Sequence, residues 1–174
     1  SEAAFWYRGA AEQGHADAQN NLGFMYAEGK GVVQDYSEAA TWFRHAAEQG
    51  LAEAQVILGV IYANGEGVVQ DDAEAATWYR RAAEQGNAVA QHNLGVMYEA
   101  GQGVVQDDTE AVIWWRRAAE QGIPNAQVNL GLMYASGQGV VQDTIAAHVW
   151  FNIAASKGHE TAKLGRDKVA KYLT

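Results

Sequence analysis

Apolar residues recur along the chain at helical spacing, in two alternating patterns. In the first pattern, Ala18, Leu22 and Tyr26 stand four residues apart in a stretch without proline. In the second, Ala39 and Trp42 begin a stripe that continues at spacings of three and four residues. Such spacing places apolar side chains on one face of an α-helix. The sequence therefore predicts alternating amphipathic helices, called A helices for the first pattern and B helices for the second.

Start and stop signals separate these helices. Gly29 stands where a left-handed C-cap ends an A helix, and Gly31 allows a second tight bend. Asp35 precedes the next B helix and is followed three residues later by Glu38, which is the pattern of a capping box. Two later units keep this acidic pair, whereas Asp143 lacks the glutamate. The helices are therefore predicted to form αα-hairpins that follow each other with short links.

The two-helix pattern repeats every 36 residues, as its tryptophans show. These are Trp6, Trp42, Trp78, Trp114 and Trp150. Leu-Gly and Gly-x-Gly-Val-Val-Gln-Asp recur with the same period. A period between about 20 and 50 residues indicates stacked units that bury their apolar faces against each other. We therefore predict an all-α fold of ten helices, in which each tryptophan fills the gap between layers.

The predicted organisation is a single repeat domain. It comprises residues 1–174, with a leading B helix over 1–14, repeats over 15–50, 51–86, 87–122 and 123–158, and a C-terminal capping helix over 159–174. The last helix has no Leu-Gly at the expected offset, and Lys163, Arg166, Lys168 and Lys171 make one side polar, as a cap requires. Because Ser1 opens within a unit, we interpret the chain as a piece of a longer array.

These residues resemble the Sel1-like repeat family, a relative of the tetratricopeptide repeats. The match consists of Ala18, Leu22-Gly23, Tyr26, Gly29, Gly31-Val32, Asp35, Ala39, Trp42, Ala46-Ala47 and Gly50. The resemblance implies a right-handed α/α superhelix (solenoid) of about 36-residue helix-turn-helix repeats that binds other proteins. It favours a periplasmic or secreted bacterial location over a cytoplasmic one. Some members carry paired cysteines in each unit, and this chain has none.

Composition narrows the classes of partner. The net charge of −9 and the pI near 4.9 argue against nucleic acids and anionic membranes, which require a basic surface. No apolar run approaches the roughly 20 residues that cross a bilayer, so no membrane insertion is expected. The absence of cysteine excludes disulfides and thiolate metal sites.

Internal repetition separates residues that build the fold from residues that are free to recognise a partner. Positions that change between units lie on the A helices opposite their core face. The resemblance implies that this side lines the concave face of the array. The predicted partner-binding residues are Asp17, Asn20, Asn21, Phe24, Glu53, Val56, Ile57, Val60, Val89, His92, Asn93, Val96, Asn125, Val128, Asn129 and Leu132.

Two patterns stand out within this set. The first is an apolar stripe of Phe24, Val60, Val96 and Leu132, and the second is an asparagine ladder of Asn21, Asn93 and Asn129. Asparagine offers both a donor and an acceptor to an extended backbone, and an apolar groove with amides suits a peptide or an amphipathic helix. In the alternative interpretation, the stripe packs between neighbouring helices and the asparagines bond locally.

Motifs that resemble chemical sites have structural explanations. A phosphate loop needs a preceding strand and a following lysine, whereas here a helix precedes each Gly-x-Gly loop. Acidic pairs such as Asp71-Asp72 lack the spacing of a calcium loop, and no two histidines have the spacing of a zinc pair. His92 either makes partner binding pH-dependent or serves as a plain polar contact. We expect no cofactor and no metal.

The leading functional expectation is a non-catalytic scaffold or adaptor that binds a protein or peptide along the concave face. The alternative is a structural or self-associating spacer, because Phe5, Trp6 and Tyr7 give the leading helix an apolar patch that can stack on another copy. An enzyme is disfavoured, since neither a catalytic triad nor a convergent set of titratable residues is visible.

Overall fold

The structure, a computed structural model, describes residues 2–173, and their side chains over 4–173. Ser1 and Thr174, the ends of the predicted domain, lie outside the described residues. Ten α-helices and no strands occur over 2–173, which confirms the all-α prediction. The helices are α1 (Glu2–Glu12), α2 (Ala16–Glu28), α3 (Tyr36–Glu48), α4 (Ala52–Asn64), α5 (Asp72–Glu84), α6 (Ala88–Ala100), α7 (Asp108–Glu120), α8 (Pro124–Ser136), α9 (Thr144–Ser156) and α10 (Glu160–Ala170).

The chain divides into two compact units, Ser1–Gln85 and Gly86–Thr174, and each is described by itself. In the first unit, α2 pairs with α3 and α4 pairs with α5, while α1 packs on α2. In the second unit, α6 pairs with α7 and α8 pairs with α9, while α10 packs mainly on α9. The even-numbered helices have the A pattern and the odd-numbered helices have the B pattern, so the hairpins follow the predicted order. The extent of one domain over the whole chain stays a prediction.

Glycines shape the loop between the helices of each hairpin. Gly29 ends α2 in the left-handed conformation, with φ 68° and ψ 23°, as predicted. The second glycine of the next loop, Gly67, also has positive φ, and a Cβ there would collide with the Tyr36 carbonyl group at the start of α3. Gly139 lies in the same way against Asp108. The second glycine is therefore required both by its conformation and by close contact with the preceding repeat.

The aspartate that opens each B helix caps it, but only half of the predicted capping box forms. The Asp35 carboxylate accepts from the backbone N–H groups of Ser37 and Glu38. The Asp35 N–H donates to the Tyr26 carbonyl of the A helix, 3.0 Å away, so no glutamate is needed to satisfy it. The equivalent N–H of Asp143 makes the same bond to its A helix. This explains why α9 begins at the usual place without the glutamate.

The core lies within the hairpins and also between a B helix and the A helix that follows it, as between α1 and α2, α3 and α4, and α7 and α8. Leu22, Leu58, Leu94 and Leu130 are fully buried, as the A-helix pattern predicts. The tryptophan prediction is only partly right, because Trp78 and Trp114 are buried whereas Trp6 is exposed. The contact that closes each hairpin belongs to the residue after the tryptophan. This residue is Phe43, Tyr79, Trp115 or Phe151, and its ring lies against the glycine of Leu-Gly in the paired A helix.

A buried glutamine in α2, α4 and α8 joins the A helix to the B helix that precedes it. The Gln55 Nε2 donates to the Ala47 carbonyl at the end of the preceding B helix, 3.0 Å away. Its Oε1 accepts from the Gln85 Nε2 at the end of its own B helix, at 2.7 Å. Gln19 makes the equivalent bond to the Ala11 carbonyl. Because an unpaired buried amide is costly, these bonds favour one register between neighbouring hairpins. The glutamines recur in every repeat, but this recurrence alone does not predict that they are buried and join two helices.

We call this series of glutamine bonds the glutamine relay. The repeat over residues 123–158 interrupts it. Lys157 stands where the earlier B helices end in glutamine, and its Nζ donates to the Gly122 carbonyl at 3.0 Å. The Gln127 Nε2 still donates to Ala119. Among residues 4–173, however, the buried Gln127 Oε1 has no hydrogen-bond partner. One acceptor in the core of the second unit is thus left without its donor.

Replacement of Gly95 tests the close contact within a hairpin. A Cβ at Gly95 would lie 2.6 Å from the Trp115 ring, which is held by a bond from its Nε1 to the His92 carbonyl. We expect Gly95→Ala to lower the free energy of unfolding by about 1–3 kcal/mol through overpacking. Gly9→Ala is the control, since nothing lies within 4 Å of its Cβ position and alanine favours the helix. Equal effects in urea unfolding would contradict the assignment.

Lys157→Gln should repair the glutamine relay. The new amide can donate to Gln127 Oε1, as Gln121 donates to Gln91 in the preceding repeat. We expect a gain of about 0.5–1.5 kcal/mol in the free energy of unfolding, the usual contribution of one buried hydrogen bond. Lys157→Met, which removes the charge without supplying a donor, is the control in the same thermal unfolding assay. A glutamine variant no more stable than the methionine variant would refute the relay.

Candidate functional site

The predicted partner-binding residues divide into three groups by exposure. The exposed residues are Asp17, Asn21, Glu53, Val60, Val89, Asn125 and Leu132. The half-buried residues are Phe24, Val56, Ile57, His92, Asn93, Val96 and Asn129. The buried residues are Asn20 and Val128. Only the first two groups offer contact area to another molecule.

Asn20 and Val128 occupy the same position of the repeat, and each is only 5% exposed. Val128 belongs to the core that α9 contributes, with Ala147 and Phe151. Val128 therefore packs towards the B helix, and neither Val128 nor Asn20 faces solvent, whereas Val56 and His92 at the same repeat position are half-buried. For this reason the surface proposed below omits both residues.

The apolar stripe combines packing with exposure. The Phe24 ring lies edge-on against Phe43, with 5.1 Å between ring centroids, and is half-buried. Val96 packs in the same way against the core of its own unit. Val60 and Leu132 are 37% and 50% exposed. Both alternatives from the sequence therefore apply, with packing at two of the positions and apolar surface at the other two.

The asparagines of the ladder leave their side-chain amides available. Over residues 4–173, Asn21, Asn93 and Asn129 form no side-chain hydrogen bond. Asn125 differs, because its Oδ1 lies 2.9 Å from the Nε2 of His159, the residue that precedes α10. Local bonding thus accounts for Asn125 and not for the ladder. Three free amides remain on the A helices.

His92 is half-buried on α6, and burial lowers its pKa below the ordinary value of about 6.5. Among the described residues its Nδ1 has no hydrogen-bond partner, so nothing compensates the charged form. The folded chain therefore favours neutral histidine. Stability from this group is fully present above the unfolded pKa and is lost as the pH falls towards the lower folded pKa.

The arginines of the B helices contact tyrosines of the following A helices. The Arg44 Nη2 donates to the Tyr62 hydroxyl at 2.6 Å. Arg116 makes the same bond to Tyr134 at 2.8 Å. Because each bond joins two neighbouring repeats, these arginines support the stack rather than a site.

Two properties of the described residues concern metal binding and membrane insertion. Within residues 2–173, no three histidine, aspartate or glutamate side chains lie close enough together to hold a metal ion. Over the same range, every helix is too short or too polar to cross a lipid bilayer.

His92→Val tests the effect of the buried imidazole on stability. Valine occupies the same repeat position as Val56 and Val128, so the A helix accommodates it. We expect the wild-type chain to lose more stability than the variant as the pH falls below about 6.5, since only the wild type must bury a protonatable ring. Urea unfolding at a series of pH values measures the difference. Parallel pH profiles for the two chains would show that His92 is not the group responsible.

Comparison with known proteins identifies the repeat. The Sel1 repeat model matches residues 1–15, 16–51, 52–87, 88–123 and 124–159, one residue later than the predicted boundaries. Relatives with solved structures include a protective antigen of uropathogenic Escherichia coli that displays an SLR fold. The two share 41% identity with a TM-score of 0.92, and the match covers 96% of this chain and 36% of the antigen.

A second relative is a Sel1 repeat protein from Oxalobacter formigenes, 42% identical with a TM-score of 0.82. That match covers 92% of this chain and 66% of the relative. Cysteine rich protein B of Helicobacter pylori is 25% identical with a TM-score of 0.56, over 72% of this chain and 90% of the relative. No curated protein matches the chain. With five repeats matched over most of its length, the chain belongs to the Sel1 repeat family.

Proposed function

We propose that the chain is a non-catalytic scaffold that binds a protein or peptide through the exposed sides of its A helices. The observation that carries the proposal is that exposed positions of the A helices differ between repeats while most of the buried positions stay the same. The buried leucines, glycines and glutamines recur from repeat to repeat, whereas the exposed A-helix positions change. Residues that are neither constant nor buried are free to differ for recognition.

Each unit supplies a distinct set of such positions. In the first unit, Asp17, Asn21 and Glu53 accompany the exposed Val60. In the second, Val89 is exposed on α6. Apolar side chains bordered by amides and carboxylates suit an extended peptide or the apolar face of a helix, because burial contributes affinity and the polar groups set orientation.

The test uses two valines on the A helices and two matched valines elsewhere. Peptides are selected on the wild-type chain from a random twelve-residue phage library, and their affinities are then measured for the variants. We expect the double variant Val60→Ser, Val89→Ser to bind about three- to tenfold more weakly, since it removes one exposed apolar contact from each unit, and a peptide held by either unit loses that contact. Val69→Ser with Val105→Ser, changed in exposed loops of the same repeats, should bind like wild type.

Circular dichroism of both double variants serves as the control that their helices are retained. Equal affinities for both double variants would reject the A-helix surface as the binding site. If no selected phage is displaced by the soluble form of its own peptide, peptide binding itself is rejected.

A second candidate function is self-association through α1. Phe5 and Trp6 are 72% and 66% exposed, and their rings contact each other edge-on. Adjacent exposed aromatic rings are a common element of protein interfaces. Light scattering of the same preparations over a dilution series distinguishes this candidate, because self-association alone raises the mass with concentration.

A further inference from the structure

The second unit contains a cleft between α8, α9 and α10 with a volume of about 470 Å³. Leu132, Phe151, Val169 and Tyr172 form its apolar wall, and Lys168 stands at its edge. Clefts that hold small ligands or single side chains of a partner have volumes of about 300–1,000 Å³ and mostly apolar linings. The cleft is therefore large enough for one or two bulky side chains.

The cleft exists because α10 packs differently from the other A helices. At the positions where those helices carry the buried Leu-Gly, α10 has Arg166 and Asp167. Its own Leu164-Gly165 stands two residues earlier, and Gly165 lies against the Phe151 ring. Leu164 consequently faces solvent, 73% exposed, and contributes nothing to the core. No buried leucine of α10 occupies the space beside the Phe151 ring.

Among the polar side chains that line the cleft, the Thr144 and Tyr172 hydroxyls form no hydrogen bond within residues 4–173, whereas other polar groups in and beside the lining are engaged within the chain. The Gln142 Nε2 donates to the Ala135 carbonyl, and the Ser136 hydroxyl donates to the Met133 carbonyl. The nearby carboxylate of Asp143 accepts from Ala146 N–H as the cap of α9. These groups therefore have little left to offer a ligand.

The Lys168 ammonium group is different. On the same helix, Lys163 pairs with Glu160 at 2.7 Å and Arg166 pairs with Asp167 at 2.9 Å. Over residues 4–173, Lys168 forms no ion pair or hydrogen bond. A cation without a partner beside an apolar cleft complements a carboxylate next to a bulky apolar group.

We propose that this cleft binds an apolar side chain of a protein partner whose neighbouring residues carry carboxylates, with Lys168 contacting a carboxylate. The inference rests on the proposed function, because it specifies the chemistry of one part of the partner. The net charge of −9 opposes an acidic segment in general, so the attraction that the proposal invokes is local to Lys168.

The experiment measures fluorescence anisotropy of a labelled nine-residue peptide with a central Leu-Trp-Leu flanked on each side by three glutamates. Its counterpart has glutamine at all six flanking positions. We expect the glutamate peptide to bind about two- to fivefold more tightly, and the difference to shrink in high salt because an exposed ion pair is weak and is screened.

Two charge reversals on α10 form a matched pair. Lys168→Glu should weaken binding of the glutamate peptide at least about tenfold, whereas Lys171→Glu, the same change outside the cleft lining, should have under about a threefold effect. Lys168→Gln, which removes the charge without reversing it, should fall between wild type and Lys168→Glu. Tyr172→Ala should weaken both peptides, because it removes part of the apolar wall.

Several outcomes would overturn the proposal. These are equal binding of the two peptides, equal effects of the two charge reversals, or no binding of either peptide. A doubled mass in sedimentation that Lys168→Glu reverses would assign the cleft to a second copy of the chain and would also overturn it. Selected phage peptides that still depend on Val60 and Val89 would then leave the proposed function standing while this inference fails.

Discussion

The fold depends on one short contact, the approach of an aromatic ring to the backbone of an A helix. Gly23, Gly59, Gly95 and Gly131 each meet a ring from the paired B helix at a distance that no Cβ would tolerate. This contact brings the two helices close enough for the leucine before each glycine to be fully buried. The ring differs among Phe43, Tyr79, Trp115 and Phe151, so the shape of the contact tolerates several aromatic residues while the glycine stays constant.

Hydrogen bonds determine how one hairpin follows the next. The glutamine bonds, the close contacts of Gly67 and Gly139 and the arginine–tyrosine bonds all connect a repeat to its neighbour. Apolar packing alone is non-directional, whereas these bonds require particular atoms to meet. Apolar contacts thus hold the helices together, and polar contacts set the register of one hairpin against the next.

The helices, their caps and the core leucines could be predicted from the sequence because spacing and local chemistry determine them. The ring on the glycine could not, since periodicity identifies both Trp42 and Phe43 as apolar without saying which one meets Gly23. For the site, helical periodicity predicts that Asn20 and Val128 lie on the outer side of their A helices, whereas both side chains are buried. Their burial depends on how far the aromatic B helix reaches around the A helix, and that distance is not encoded in either helix alone. The glutamine relay was hidden for a related reason, because repetition by itself does not distinguish a buried amide from an exposed one.

The Gln55 amide, which accepts from one end of its own hairpin and donates to the hairpin before it, has an evolutionary consequence. The repeats over 15–50, 51–86 and 87–122 each carry both glutamines of the junction, so a gene segment encoding one of them can be duplicated or deleted and the new neighbours still match. Array length can then change by whole blocks without compensating substitutions. The repeat that carries Lys157 shows that this shared junction can also diversify, because a lysine there replaces the glutamine.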